Sequence, residues 1–434
     1  MTNKSEGLRI AITMQSLDPS WGGIGVYTME LVSSLLRRDR DNSYLLIYPG
    51  FGQARLQAGR FESEYENVRE VVTTGWSVPN ATWWDQVVLP RALSGQKVDV
   101  VFNPFWSAPV FGDYRKVTTM HDVTAALLAN TPGRAFDLKR RLQQGLRNHL
   151  LLGSIDRIIS ISHTMTADLI RYMRIPEERI RTVCHGVSDR FRPVESADVL
   201  ARIREEYRLP ERFILFVGHI YPQKNFGNLV RAFARIATGL DQHLVVAGRQ
   251  RWNSEAELAL VDELALSDRV HFLSYVEHED LPALYSLASC FAFPSFYEGF
   301  GLVLLEAMAC GCPAVASRGG AVPEVAGDAA LLFDPHSVEA MADCLRRMLT
   351  DADLRAEHVR RGRARAAEFT WDRCAAETVA VLAECVTGRQ PATEALAASR
   401  SGAVPILTDR PAVRDHIASE TAGRFAVAVS ARDT

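Results

Sequence analysis

The sequence predicts an α/β protein made of two doubly wound, parallel-sheet domains that face each other across a cleft. Three observations lead there. Short apolar runs alternate with amphipathic helical stretches from end to end, the pattern of parallel strands covered by helices on both faces. That pattern restarts near residue 211, after a polar, proline-marked stretch at 186–212. The chain has 434 residues, enough for two full cores.

In the first half, strands are expected at 8–14 (LRIAITM), 44–48, 98–102, 116–120, 157–162 and 181–184. In the second half they are expected at 213–218 (FILFVG), 243–248, 269–273, 290–294, 314–317 and 330–333. Helices at 25–38, 136–152, 225–237, 254–265, 279–288, 301–310 and 337–349 fall between them. The resulting divisions are a first domain at 1–190, a linker at 191–210 and a second domain at 211–370. A helix at 371–387 packs back toward the first domain, and the tail at 388–434 is expected to be poorly ordered. Within that tail, VPILTD and RFAVAVS are candidate short strands.

Composition excludes several classes. Hydrophobic residues are 47% and charged residues 23% of the chain, an ordinary soluble balance. The net charge of −3 argues against nucleic acid as a partner. Residues 1–190 carry 23 Lys and Arg against 19 Asp and Glu, a net of +4, and the remainder is net −7. A mildly basic first half suits phosphates or an anionic membrane, and ordinary scatter explains it nearly as well. The seven cysteines are odd in number and mostly sit in apolar runs, which points to a reducing compartment. Cys310 and Cys312 lack the second ligand pair of a zinc site. The pairs Asp39/Asp41 and Asp351/Asp353 flank helices, and chance accounts for them, so no metal is expected. With no long apolar run and no apolar leader core at the N-terminus, a cytoplasmic location is expected. The segment 134–150 reads as a basic amphipathic helix. It suits either an anionic membrane surface, placing the protein peripherally at the inner face of the plasma membrane, or an ordinary surface helix.

Chemistry is concentrated at predicted strand ends. Residues 297–312 read YEGFGLVLLEAMACGC: two acids, Glu298 and Glu306, bracket a Gly-Phe-Gly turn that opens an apolar helix. Such a turn points backbone N–H groups and a helix N-terminus at one spot, which suits an anionic ligand. Glu298 is placed for hydroxyls and Glu306 for a second polyol such as a ribose; the alternative is a buried turn with a surface Glu at each end. Gly22 and Gly23 follow the first strand and permit close approach of a phosphate or sugar, or simply a flexible turn. His121 ends the strand 116–120, where a ring can donate to an oxygen, shuttle a proton or be structural. Asp122 is a candidate cap for the next helix. Gly218 ends the strand 213–217, and the loop it opens carries Lys224, a point charge for a diphosphate or a solvated lysine. Asn225 is a candidate N-cap of the following helix.

Together these pieces resemble the large retaining glycosyltransferase family numbered four (glycosyl transferases group 1, GT-B fold), from about residue 8 to residue 386. The most specific element is EGFGLVLLEAMACGCPAVAS; GGIGVYTMEL, ISHTMTADLI, HGVSDRFRP and FVGHIYPQKN occur in the matching order. The resemblance implies two Rossmann-like domains and a metal-independent, cofactor-free transfer of a hexose from a nucleotide sugar to a glycan or lipid-linked acceptor. It gives the ribose to Glu306 and the donor sugar's hydroxyls to Glu298 with the backbone of Gly299, Phe300, Gly301 and Leu302. Lys224, in the loop of Gly218 and Asn225, takes the diphosphate. Gly22 and Gly23 approach it from the first domain, and His121 contacts the donor sugar near the reacting carbon. The loop FVGHIYPQKN is similar to those of bacterial mannosyltransferases of surface polysaccharide pathways, which implies GDP-mannose. The family usually has Arg where this chain has Gln223, so one cation is missing, with His219 or Arg249 as candidate substitutes. Trp76, Trp83 and Trp84 are candidates for acceptor stacking or packing. A nucleotide-sugar epimerase or hydrolase, and a non-catalytic partner subunit, are the rival readings.

Overall fold

A computed structural model of the protein describes residues 7–18, 22–74, 80–123, 150–249 and 254–388. The first sheet contains β1 (Arg9–Thr13), β2 (Ser43–Pro49), β3 (Val68–Thr73), β4 (Val100–Asn103), β5 (Arg115–Met120), β6 (Arg157–Ser160) and β7 (Ile180–Thr182). All seven strands run parallel in the order β3-β2-β1-β4-β5-β6-β7. The second contains β8 (Phe213–Val217), β9 (His243–Ala247), β10 (Val270–Ser274), β11 (Cys290–Phe293), β12 (Ala314–Ser317) and β13 (Ala330–Phe333). These six are also parallel, in the order β10-β9-β8-β11-β12-β13. This is the GT-B architecture.

The central strands are short and apolar because both of their faces are covered. All four residues of β4, β11 and β12 are buried. Strand order reverses beside the first strand of each sheet, between β1 and β4 and again between β8 and β11. Such a switch point splays two loops apart at the carboxyl ends of the strands and leaves room for a ligand.

The helices named below are α1 (Gly23–Arg38), α2 (His163–Met173), α3 (Ala197–Glu206), α4 (Phe226–Ala237), α5 (Glu255–Glu263), α6 (Leu281–Leu287), α7 (Leu302–Ala309), α8 (Val322–Ala326), α9 (Val338–Thr350), α10 (Ala352–Ala366) and α11 (Trp371–Thr387). A composite helical run also spans residues 81–93. α4 shows why such segments fold: Leu229, Val230, Phe233 and Ile236 form one buried stripe against the second sheet.

Two expectations need correction. Residues 68–73 (VREVVT) form an edge strand that the charged Arg69 and Glu70 conceal from a search for apolar runs. The polar stretch expected as a linker contains α3, whose N-terminus is capped by the Ser196 hydroxyl. Its Ile203 is fully buried, and its Arg202 together with Tyr207 binds Asp280 at 2.9 and 2.8 Å. Just before this helix, the Val187 N–H bonds the Phe369 carbonyl and Val187 forms a parallel bridge with Thr370.

The last helix, α11, belongs to the core of the first sheet. Trp371, Cys374, Ala375, Val381, Leu382 and Cys385 join Ile10, Ile12, Tyr27 and Phe102 in one cluster. Asp372 binds Ser34, Arg37 and Arg38 of α1 at 2.7–2.8 Å. At the other end Glu384, 3% exposed, accepts from Arg181 Nε at 2.9 Å and Arg157 Nε at 3.3 Å. Removing one partner leaves buried charge uncompensated, so Glu384→Ala is expected to lower stability by about 3 kcal/mol. Urea unfolding measures it, and a loss under about 1 kcal/mol would contradict this account.

A second apolar cluster runs without a break from Met120, Ile158 and Ile161 of the first lobe to Phe293, Phe300, Leu304 and Val322 of the second. Among the described residues, no helix is long and apolar enough to cross a membrane. Residues 134–149 of the basic segment, Trp76 and the tail from residue 389, with VPILTD and RFAVAVS, lie outside the described residues.

Candidate active site between the two sheets

The site is built from loops at the carboxyl ends of β1, β5, β8, β11 and β12. After β11 the chain turns through Ser295–Gly301 into α7, with Gly301 at the N-cap position. Two glycines of a neighbouring loop hold that turn. A Cβ on Gly320 would lie 2.2 Å from the Glu298 carbonyl oxygen and 2.6 Å from its nitrogen. The backbone there has a φ of +61°, which L side chains rarely adopt. The Ala321 N–H then donates to the Glu298 carbonyl at 2.8 Å. Sequence reasoning missed this clamp, although the adjacent pair Gly319-Gly320 just after a strand carries the same signal as Gly22-Gly23.

Glu298 points at Lys224. Its Oε1 accepts from the Lys224 ammonium at 2.6 Å, with the two side chains only 15% and 17% exposed. The ammonium also lies 5.8 Å from the ring centroids of Tyr221 and Phe293. Burial opposes the charge on Lys224, but the carboxylate of Glu298, then Tyr221 and Asp122, outweigh it and hold the ammonium well above the ordinary lysine range. Asp122 is exposed; the helix it was expected to cap lies outside the described residues.

Lys224 sits in a tight turn whose neighbours are committed to structure. Gln223 Nε2 donates to the Tyr297 carbonyl at 2.9 Å, and its own carbonyl accepts from Phe296 N–H. Gln223 thus ties the lysine loop to the Glu298 turn. Asn225 stands at the N-cap position of α4, but its side chain makes no cap. The amide donates to the carbonyls of Pro294 and Pro335 at 2.9 and 2.8 Å, so it braces three loops and has neither N–H left for a ligand. Arg249 stacks on Tyr275, 4.9 Å from its ring centroid.

Glu306 lies one turn into α7, 6% exposed, and accepts from the Tyr285 hydroxyl at 3.2 Å. Burial is the main cause that lifts its carboxyl to about 7, only partly offset by Tyr285. The native state therefore binds a proton that the unfolded chain releases near its ordinary value. Stability falls as pH rises between about 4.5 and 7. Glu306→Gln removes that penalty, and thermal melts at pH 8 are expected to show the variant more stable than the parent by about 2–3 kcal/mol.

The first lobe faces these groups. His121 follows β5 and its Nε2 meets the Pro104 carbonyl at 2.7 Å. A carbonyl only accepts, so Nε2 carries the hydrogen and Nδ1 is left as an acceptor. Burial pushes the ring down to about 4, giving a neutral imidazole at pH 7. The ring thus donates to an oxygen of the protein's own backbone, and Nδ1 is its remaining acceptor. Gly22 and Gly23 open α1, and among the described residues nothing lies within 4 Å of a Cβ on either.

The lobes touch at the Gly-Phe-Gly turn. A Cβ on Gly299 would sit 2.4 Å from the His121 carbonyl oxygen. The Ser162 hydroxyl donates to the Gly299 carbonyl at 2.8 Å, and Tyr297 donates to Asp168 at 2.7 Å. Glu324 accepts from the His163 and Thr164 N–H groups at the start of α2. Phe300 packs 4.8 Å from His185, whose ring also meets Tyr27, His121 and Trp371. Leu302, the first residue of α7, packs against both adjoining clusters. These contacts pair residues far apart in the chain, and only the segment ISHTMTADLI hinted at them.

Residues 201–365 match the family described as glycosyl transferases group 1, and residues 21–191 match Glycosyltransferase Family 4. The O-antigen chain mannosyltransferase B of Escherichia coli is 34% identical over 268 residues, covering 61% of this chain and 69% of that protein. The chain belongs to the family 4 glycosyltransferases. A D-inositol 3-phosphate glycosyltransferase of Xylanimonas cellulosilytica is 30% identical over 402 residues, covering 86% of this chain and 93% of that one. Sucrose-phosphate synthase of Thermosynechococcus elongatus shares the fold, with a TM-score of 0.69 at 21% identity over 88% of this chain and all of that one.

This family 4 enzyme thus gathers Glu298, Lys224 and the turn 299–302 into one place facing His121, with Glu306 one turn along α7. Two of the candidate aromatics are placed: Trp84 is fully buried and donates to Thr73, whereas Trp83 is 46% exposed. All seven cysteines are free thiols, and burial pushes Cys184, Cys290 and Cys385 up to about 12, so these three are not thiolates at pH 7. Among the described residues, no group of three or more His, Cys, Asp or Glu is placed to hold a metal ion.

Proposed function

We propose that this glycosyltransferase moves a hexose, with mannose from GDP-mannose as first choice, onto a glycan or lipid-linked acceptor of a surface polysaccharide, with retention of anomeric configuration. The observation that carries the reading is the placement of Lys224, Glu298 and Glu306 around one helix N-terminus opposite His121. The mannose choice draws support from the E. coli O-antigen mannosyltransferase among the relatives. Glu306 accepts from the ribose hydroxyls, Glu298 from the sugar hydroxyls, and His121 Nδ1 from a further hydroxyl. The bond between C1 and the diphosphate oxygen breaks as the acceptor oxygen bonds C1 from the same face. The acceptor's proton passes to a diphosphate oxygen. The growing negative charge meets Lys224 and the N–H groups that open α7, preorganised donors that need no metal or other cofactor. Lobe contacts at Gly299 keep water from the donor. The acceptor approaches from the first lobe, with the enzyme at the cytoplasmic face of the membrane.

Thermal melts against GDP, UDP and ADP, each with its common sugars, test the reading, because a ligand that binds only the folded state raises the melting temperature. A rise with GDP-mannose supports it; a rise with another nucleotide alone replaces the donor; no rise with any overturns it. Anomeric proton couplings of the product decide retention.

A further inference from the structure

The Lys224–Glu298 pair has a consequence for which nucleotides the site holds. The ammonium proposed to hold the diphosphate is already bound, at 2.6 Å, to the carboxylate proposed to hold the sugar. Both backbones are anchored. Glu298 is clamped by Gly320 and Ala321, and the turn carrying Lys224 is tied to the Glu298 loop through Gln223 and Asn225. The pair opens only by side-chain rotation.

A diphosphate approaching Lys224 brings like charge against Glu298, with the carboxylate of Asp122 adding to the field. Glu298 must turn away, and it then loses its cation in a largely water-free place. Sugar hydroxyls can restore what it loses by donating to the carboxylate. A nucleoside diphosphate carries nothing for it.

We infer that Glu298 makes the site selective for nucleoside diphosphates that carry a sugar: only the intact donor repartners Glu298 as it takes Lys224, and after transfer Glu298 returns to Lys224 and displaces the spent diphosphate. This rests on the donor reading above. It assigns to Glu298 a part in product release in addition to sugar contact.

Calorimetric titration of the parent and of Glu298→Gln, with the nucleoside diphosphate and sugar nucleotide that stabilise the parent best, tests it. In the parent, the sugar nucleotide binds at least about tenfold tighter than the diphosphate. In Glu298→Gln, the diphosphate gains about tenfold, the sugar nucleotide gains nothing, and the preference disappears or inverts. A variant that melts within a few degrees of the parent and binds the diphosphate no tighter overturns the inference. So does a parent that binds the diphosphate as tightly as the sugar nucleotide, a result that needs no folded variant. A parent that binds no nucleotide overturns the donor reading itself, and this inference falls with it.

Discussion

Lys224→Ala is expected to lower kcat/KM for sugar transfer by about a thousandfold or more, the scale for removing a preorganised charge from a developing anion. The loss should fall on kcat as well as KM, because the ammonium meets more charge in the transition state than in the bound donor. The substitution also leaves Glu298, 15% exposed, without its cation. A lower melting temperature is therefore expected, and a double replacement separates the two effects. Lys224→Ala with Glu298→Ala should regain stability, because no charge remains unpaired, while activity stays lost. A Lys224→Ala enzyme that retains a tenth of parental kcat/KM would remove Lys224 from the mechanism.

Gly299→Ala is expected to be nearly as damaging, although it adds one methyl group and no charge. That methyl would lie 2.4 Å from the His121 carbonyl oxygen and 3.3 Å from Ile161 Cδ1. The nearer neighbour is backbone and cannot rotate away, so the second-lobe turn must withdraw from the first lobe. Overpacking of this kind costs about 1–3 kcal/mol of stability. Activity should suffer more. A shift of about 1 Å in the groups that position a donor lowers the rate by about a hundredfold. Melting curves and kcat/KM measured together decide it: a large activity loss with a modest stability loss is the expected signature, and an unchanged kcat/KM would mean the lobe contact has no part in positioning.

Much of this could be read in the residues, and the failures have physical causes. Strands buried on both faces announce themselves as apolar runs, so FILFV, CFAF and AVAS were legible with few errors at their ends. VREVVT was not, because Arg69 and Glu70 interrupt its apolar run; Arg69 is exposed at the sheet edge, and Glu70 accepts from Tyr48 and from the Phe61 and Glu62 N–H groups. ADVLARIREE was not, because a helix that buries Ile203 alone looks like a linker. At the site, Glu298, Lys224 and Glu306 stood out by residue type and spacing after strands. What they do to one another did not. The Lys224–Glu298 pair joins positions 74 residues apart, and Asn225 gives its amide to carbonyls 69 and 110 residues away. Local sequence made Asn225 a helix cap, and tertiary contacts overruled it. The departure at Gln223 was visible in the sequence; its service as a brace between two loops was not.

The C-terminal helix sets a rule for recombination. Trp371, Cys374, Leu382 and Cys385 fill the interior of the first sheet although the whole second lobe precedes them in the chain. A chimaera that takes its N-terminal half from one relative and its C-terminal half from another would join mismatched surfaces at two places, the visible junction and the seat of this helix. A functional hybrid needs three segments, with the 17 residues of the helix Trp371–Thr387 drawn from the same parent as the first lobe. Acceptor specificity carried by that lobe would then pass between enzymes only when the first lobe and this helix travel together.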